Sequence, residues 1–142
     1  MLISTILRAK GADVATVRPE ATVTELLAVL AERNIGAVVV TDAADAIVGI
    51  VSERDVVRRL HDMGARVLSL PVSEIMTTEV HTCGPDANVD DLRRTMTTNR
   101  IRHIPVVADG RLAGIVSIGD VVKSAIEELE ADKAYLVDYI HR

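Results

Sequence analysis

Two short stretches of the chain carry the same donors and acceptors at the same spacing. Gly49-Ile50-Val51-Ser52 is followed three residues after its serine by Asp55, and Gly114-Ile115-Val116-Ser117 in the same way by Asp120. A carboxylate just inside a helix start can accept two hydrogen bonds from a vicinal diol such as that of a ribose. The serine hydroxyl and the open N–H groups of the first helical turn can meet phosphate or sugar oxygens. Each turn thus offers both halves of a nucleotide handle. The same spacing also makes an ordinary helix start, with serine capping the backbone and the acid facing the positive end of the helix. Recurrence after the same apolar run in both places favours the ligand.

A second candidate is Arg100-Ile101-Arg102-His103-Ile104-Pro105-Val106. Ile104 and Pro105 can supply a flat aliphatic surface for a purine, and Arg100, Arg102 or His103 can pair with phosphate. The competing reading is a solvated edge strand whose charges discourage pairing with another chain. The corresponding first-half stretch, Asn34-Ile35-Gly36-Ala37-Val38-Val39-Val40, lacks the proline and the cations. Two unequal pockets are therefore expected, the second filling first. Cys83 either lines the second pocket or is a small packed residue. The pairs Arg58-Arg59 and Arg93-Arg94 read as exposed helix faces.

Composition excludes several classes. The 142 residues suit one domain with a real core, and 49% hydrophobic against 26% charged is a globular balance. No apolar run approaches the roughly 20 residues that span a bilayer, and the N-terminus lacks the pattern of a secretory signal. One cysteine makes no internal disulfide, and a cytoplasmic location is expected. A net charge of −5 argues against sequence-independent nucleic-acid binding. With no Trp, no Phe and only Tyr135 and Tyr139, a bound base must lie between aliphatic side chains. The four histidines are not at metal-ligand spacing, and no Rossmann or P-loop glycine pattern occurs. An enzyme acting on adenosyl compounds is disfavoured by the missing nucleophile and base.

A repeat supplies the elements that hold these turns. Pro19-Glu20-Ala21-Thr22-Val23-Thr24-Glu25-Leu26 aligns with Pro85-Asp86-Ala87-Asn88-Val89-Asp90-Asp91-Leu92, and the two Ser-x-x-Asp turns align at an offset shorter by one residue. Upstream, Ser4-Thr5-Ile6-Leu7 resembles Ser73-Glu74-Ile75-Met76. In each copy a helix opens at Thr22 or Asn88, with Glu25 or Asp91 in position for a capping box, full in the first copy and near in the second. Two apolar runs about a polar turn then read as a β-hairpin (37–41 with 46–51; 103–107 with 112–116), and a second helix starts at Ser52 or Ser117. The fold class is α/β, two βαββα units with pseudo-twofold symmetry. The expected divisions are 1–71 for the first repeat, 72–130 for the second and 131–142 for a C-terminal helical extension.

With these residues in place the chain resembles a tandem pair of cystathionine-β-synthase (CBS) domains. The resemblance rests on the two Gly-Ile-Val-Ser-x-x-Asp turns, the strand Ile104-Pro105-Val106 and the lead-ins Ile75-Met76-Thr77 and Thr16-Val17 with Thr82. Such pairs occur as regulatory segments of larger proteins and in small bacterial proteins made of a CBS pair alone. They bind AMP, ATP, related adenosyl compounds or NAD in clefts between the repeats. The resemblance implies that Asp55 and Asp120 hold ribose, that Ser52 and Ser117 contact phosphate or ribose, and that backbone near Thr16 and Thr82 meets the adenine edge. Gly36, Ala37, Val38 and Arg54 complete the candidate site of the first copy, where the usual proline is missing. The ligand expected first is AMP, with NAD or ATP as alternatives and no catalytic cofactor.

The resemblance also implies a flat homodimer and an unidentified effector protein acted on in trans, with neither nucleic acid nor membrane as partner. The competing function is a ligand-independent dimerisation or scaffold module. In the segment 118–140, Val121, Val122, Ala125, Ile126, Leu129, Leu136 and Ile140 keep roughly helical spacing with acids between them. The distal half is expected either on a second subunit or folded back on its own chain.

Overall fold

The computed structural model describes residues 1–11 and 13–141. In chain order its elements are α1 (Ile3–Lys10), β1 (Thr16–Val17), α2 (Val23–Arg33), β2 (Ala37–Thr41), β3 (Ile47–Ser52), α3 (Glu53–Met63), two short 3-10 turns (Gly64–Ser69 and Val72–Glu74), α4 (Val89–Asn99), β4 (His103–Ala108), β5 (Arg111–Ser117) and α5 (Ile118–Ile140).

The repeat is visible in the backbone. α2 starts where the Thr22 hydroxyl accepts from the Glu25 N–H, and α4 where Asn88 accepts from Asp90 rather than Asp91. The reciprocal capping boxes form instead at Ser52 with Asp55 and at Ser117 with Asp120. The expected boxes at Thr22 and Asn88 are therefore side-chain caps. Both α2 and α4 end on a left-handed residue, Asn34 (φ 51°) and Arg100 (φ 54°), at equivalent positions. Val23, Leu26 and Leu30, and in the other half Val89, Leu92 and Met96, form the buried helix faces.

Each half holds an antiparallel hairpin, β2 with β3 and β4 with β5, each with a bulge near its turn. In the first half β1 adds a parallel strand, pairing Thr16 with Val39. In the second half that strand is reduced to one parallel bridge between Cys83 and Val106. The Cys83 N–H donates to Pro105 O, and the Val107 N–H donates to Cys83 O.

Two cores result, and each borrows from the other half. Ile3 and Ile6 of α1 lie in the second core with Val89, Leu92, Met96, Ile104 and Val116. Val67, Val72 and Ile75 lie in the first with Val23, Leu26, Val38 and Val51. The backbone repeats the exchange. The Ile3, Ser4 and Val89 N–H groups donate to Ala87, Pro85 and Met1 O, as those of Val72, Ser73 and Val23 donate to Ala21, Pro19 and Leu70 O. The glycine of each Gly-Ile-Val-Ser turn exists for this packing. A Cβ on Gly49 would come within 2.6 Å of Met76 Sδ and 3.0 Å of Thr77 O, and one on Gly114 within 2.6 Å of Leu7 Cδ2.

α5 has 23 residues where its counterpart α3 has 11. Beyond Ser124 it leaves the core, and every described residue from Ile126 on is exposed. The expectation that its distal half folds back on its own chain does not hold. No helix among the described residues is long and apolar enough to cross a membrane.

Candidate functional site

Each Ser-x-x-Asp turn stands where the second strand of a hairpin gives way to the helix that follows. In the first, the Ser52 N–H and hydroxyl both donate to Asp55 Oδ2, at 2.8 and 3.1 Å, and the Asp55 N–H donates back to Ser52 Oγ. In the second, the Ser117 N–H and hydroxyl donate to Asp120 Oδ2, at 2.8 and 3.0 Å, with the same return bond. The capping and ligand readings of the sequence are compatible in this geometry. Oδ2 closes the helix, while Oδ1 of each acid has no hydrogen bond among the described residues.

Two clefts open on these turns, of about 730 Å³ beside Asp55 and about 560 Å³ beside Ser117, at which Asp120 is boxed. Both fall within the range of small-molecule sites. The larger is walled by Ser52, Arg54, Asp55, Arg58, Thr77, Glu79, Val80 and His81 together with Arg100, Arg102 and His103 of the other repeat. The smaller is walled by Lys10, Asp13, Val14, Ala15, Arg33 and Ile35 with Ile115 and Ser117. Gly36, Ala37, His103 and Ser117 line both, so the clefts meet at the pseudo-twofold axis. Their apolar walls are aliphatic: Ile50, Val57, Val80, Ile101 and Ile118 in one, Val14, Ile35 and Ile115 in the other.

The structure redistributes the residues selected from sequence. Arg100, Arg102 and His103, expected beside Asp120, wall the Asp55 cleft, because each cleft takes its helix start from one repeat and its opposite wall from the other. Gly36, Ala37, His103 and Ser117 reach both. Ile104 and Pro105 are both buried, Ile104 at 0% exposure within the second core, and neither lines a cleft. Val38 is buried in the first core for the same reason: its strand is covered on both sides. Thr16 is an exposed residue of β1 and Thr82 an exposed one before the Cys83 bridge, and neither lines a cleft. Lys10, Asp13, Arg33, Glu79, Val80 and His81 line the clefts without being sequence candidates. Their signal lay in the repeat, since 10–15 and 77–81 both follow the matched lead-ins.

Charge differs between the clefts. Arg54, Arg58, Arg100 and Arg102 stand in the larger cleft without an ion pair among the described residues, against Glu53, Asp55 and Glu79. In the smaller, Lys10 Nζ donates to Asp120 Oδ2 at 2.7 Å and Arg33 pairs with Asp13 at 3.6 Å. Burial pushes the Asp120 carboxyl up, but the hydrogen bonds and charge of Lys10, with those from Ser117, outweigh it and hold the group below the usual carboxylate range. Burial lowers the His103 imidazole, helped by Lys10 and Arg102 and opposed by Asp120 and Glu53. Burial raises the Cys83 thiol. The described residues contain no group of three or more acids, histidines or cysteines placed to hold a metal.

Comparison with known proteins agrees with this architecture. Residues 7–62 and 72–127 each match the CBS domain. The CBS domain-containing protein CBSX3, mitochondrial, of Arabidopsis thaliana is 39% identical over an alignment of 123 residues that covers 81% of this chain and 60% of that protein. The chain thus spans less than two thirds of that relative. The crystal structure of the CBS-domain containing protein ATU1752 from Agrobacterium tumefaciens superposes with a TM-score of 0.86 at 45% identity, covering 88% of this chain and 99% of the other. That of the CBS domain pair of protein MJ0100, in complex with 5′-methylthioadenosine and S-adenosyl-L-methionine, superposes with a TM-score of 0.81 at 26% identity, covering 90% and 98%.

Proposed function

The chain belongs to the CBS-domain family as a tandem pair, and from that premise we propose that it is a regulatory module that binds an adenine nucleotide in the clefts between its repeats. AMP is the first candidate, with ATP and NAD behind it. The observation that carries this reading is the duplicated acid. Asp55 and Asp120 are each fixed through one oxygen by a capping box and keep the other for a ligand diol, beside a cleft of nucleotide size. The adenosyl ligands held by the MJ0100 pair support the choice of ligand class.

The four unpaired arginines make the Asp55 cleft the stronger site for a phosphate-bearing ligand. Calorimetric titration with AMP, ATP and NAD tests this. Asp55→Ala should weaken the tighter site by about 1 to 3 kcal/mol, the scale of lost charge-assisted hydrogen bonds, and Asp120→Ala the weaker one. Unchanged binding of every adenosyl ligand in folded Asp55→Ala and Asp120→Ala would overturn the ribose assignment.

The module is non-catalytic in this reading: each serine hydroxyl is committed to its own capping acid. Its output is a population shift, a nucleotide favouring one arrangement of the repeats and so one surface offered to an effector in trans. The lone Cys83 suits a reducing compartment such as the cytoplasm.

A homodimer belongs to the same proposal. Val57 and Leu60 on α3 and Val122, Ile126, Leu129 and Leu136 on α5 are exposed apolar residues, and two copies pairing through them would cover surface that a monomer leaves in water. Removing residues from Asp132 onward should raise the dimer dissociation constant in sedimentation and leave nucleotide affinity nearly intact. If the dimer were unchanged at the lowest measurable concentration, the contact would be assigned to α3 and the first half of α5 instead.

A further inference from the structure

The two Ser-x-x-Asp turns share their capping box but differ in one contact. Asp55 Oδ2 accepts two hydrogen bonds, both from Ser52. Asp120 Oδ2 accepts the equivalent two from Ser117 and a third from Lys10 Nζ at 2.7 Å. Both Oδ2 atoms are filled by their serines, and only that of Asp120 carries a cation besides. The ammonium is held at a second point, 2.9 Å from Ile115 O. The two charged side chains are partly screened from water, at 32% exposure for Lys10 and 21% for Asp120.

The difference has a local cause. In the first half the chain after its lead-in is extended, and the Thr77 N–H donates to Ile50 O at 2.9 Å. In the second half the lead-in stays helical to Lys10, no backbone N–H among the described residues takes the equivalent bond, and the lysine ammonium meets Ile115 O. An ammonium is thereby placed on the acid of one cleft and absent from that of the other.

We propose that Lys10 is the specificity-determining residue of the smaller cleft, making it selective for adenosine ligands that carry an anionic group, while the Asp55 cleft accepts charged and uncharged ones. This inference rests on the nucleotide-binding reading above. A diol takes Oδ1 of either acid, and the Lys10 cation on Asp120 makes that oxygen the weaker acceptor. An uncharged nucleoside gains nothing from the ammonium to offset this. A ligand phosphate offsets it with a charge-assisted bond to the ammonium.

Calorimetric titration of the full chain with adenosine and with AMP tests the assignment. The wild-type chain should bind one adenosine and two AMP. Lys10→Met should open a second adenosine site, at least about tenfold tighter than any in the wild type at that cleft, and weaken AMP there by about tenfold, the scale of one charge-assisted hydrogen bond. Lys10→Met combined with Asp120→Ala should lose the new adenosine site, and Lys10→Arg should keep the wild-type pattern. Two adenosine sites in the wild type, or AMP and adenosine binding indifferent to Lys10→Met, would overturn the role of Lys10 and leave the nucleotide reading standing. Absence of binding by both ligands to every variant would overturn the two together.

Discussion

The two halves of this molecule arrive at one Ser-x-x-Asp turn from different supports. In the first half the strand that ends at Ser52 is flanked by backbone, through the paired Ile50 and Thr77. In the second, the strand that ends at Ser117 is flanked by the last turn of a helix, through Leu7 and Lys10. Duplication preserved the capping box, and divergence acted on the segments leaning against it. A pair of sites with nearly the same core motif can differ in charge without any change in the motif itself.

The largest expected effect probes the exchange of lead-ins. Ile6 and Ile75 occupy matched positions, 7% and 4% exposed, in opposite cores. Replacing either with Ala should cost about 2 to 5 kcal/mol by the loss of buried methylenes and the cavity left behind. Hydrogen exchange should show Ile6→Ala loosening β4 and β5 and Ile75→Ala loosening β2 and β3. Loosening of β2 and β3 by Ile6→Ala would break the comparison.

A smaller contrast is expected at the two turn glycines. In Gly49→Ala the new methyl meets the Thr77 carbonyl as well as the flexible Met76, while in Gly114→Ala it meets Leu7, a side chain free to change rotamer. Overpacking at Gly49 should cost about 1 to 3 kcal/mol, and less at Gly114. Chemical denaturation of the two variants measures the difference, and equal destabilisation would mean that Leu7 is held as rigidly as backbone.

The smallest effect is a titration. The His103 pKa is lowered in the folded protein, so its contribution to stability is present in full above the unfolded value, about 6.5, and is lost as the pH falls from there through the folded value. Because His103 lines both clefts, AMP in either should bring phosphate near the ring and raise its pKa. An NMR titration of the imidazole with and without AMP reads this directly. A value unmoved by saturating AMP would place the phosphate away from the axis between the clefts.

The repeat was legible because hairpins and helix caps depend on local chemistry: Thr22, Asn88, Ser52 and Ser117 all start helices as their side chains dictate. The acids of the candidate site were legible for the same reason. The partners of those acids were not, since the opposite wall of each cleft comes from the other repeat, and pairing Arg100 and Arg102 with Asp55 is a tertiary choice no local pattern encodes. Ile104 and Pro105 look like a platform in sequence because apolar strand residues carry no label of which face is covered, and here both faces are. Lys10 closes its contact 110 residues away, beyond the reach of any periodicity.

The exchange of lead-ins also sets an order for the birth of the chain. The first core needs nothing beyond Ile75 and can close once the early hairpin and its following turns are made. α1 is synthesised before all of them, yet the core that takes Ile3 and Ile6 is built from residues between Cys83 and Val121. Until then this first helix must wait with its apolar side unspent. Its docking closes a loop of nearly the whole chain, the kind of distant closure that slows folding. α1 can thus be fastened only once the second core is made, the Met1 carbonyl accepting from the Val89 N–H. A bulky fusion at that end should slow maturation more than one at the projecting end of α5.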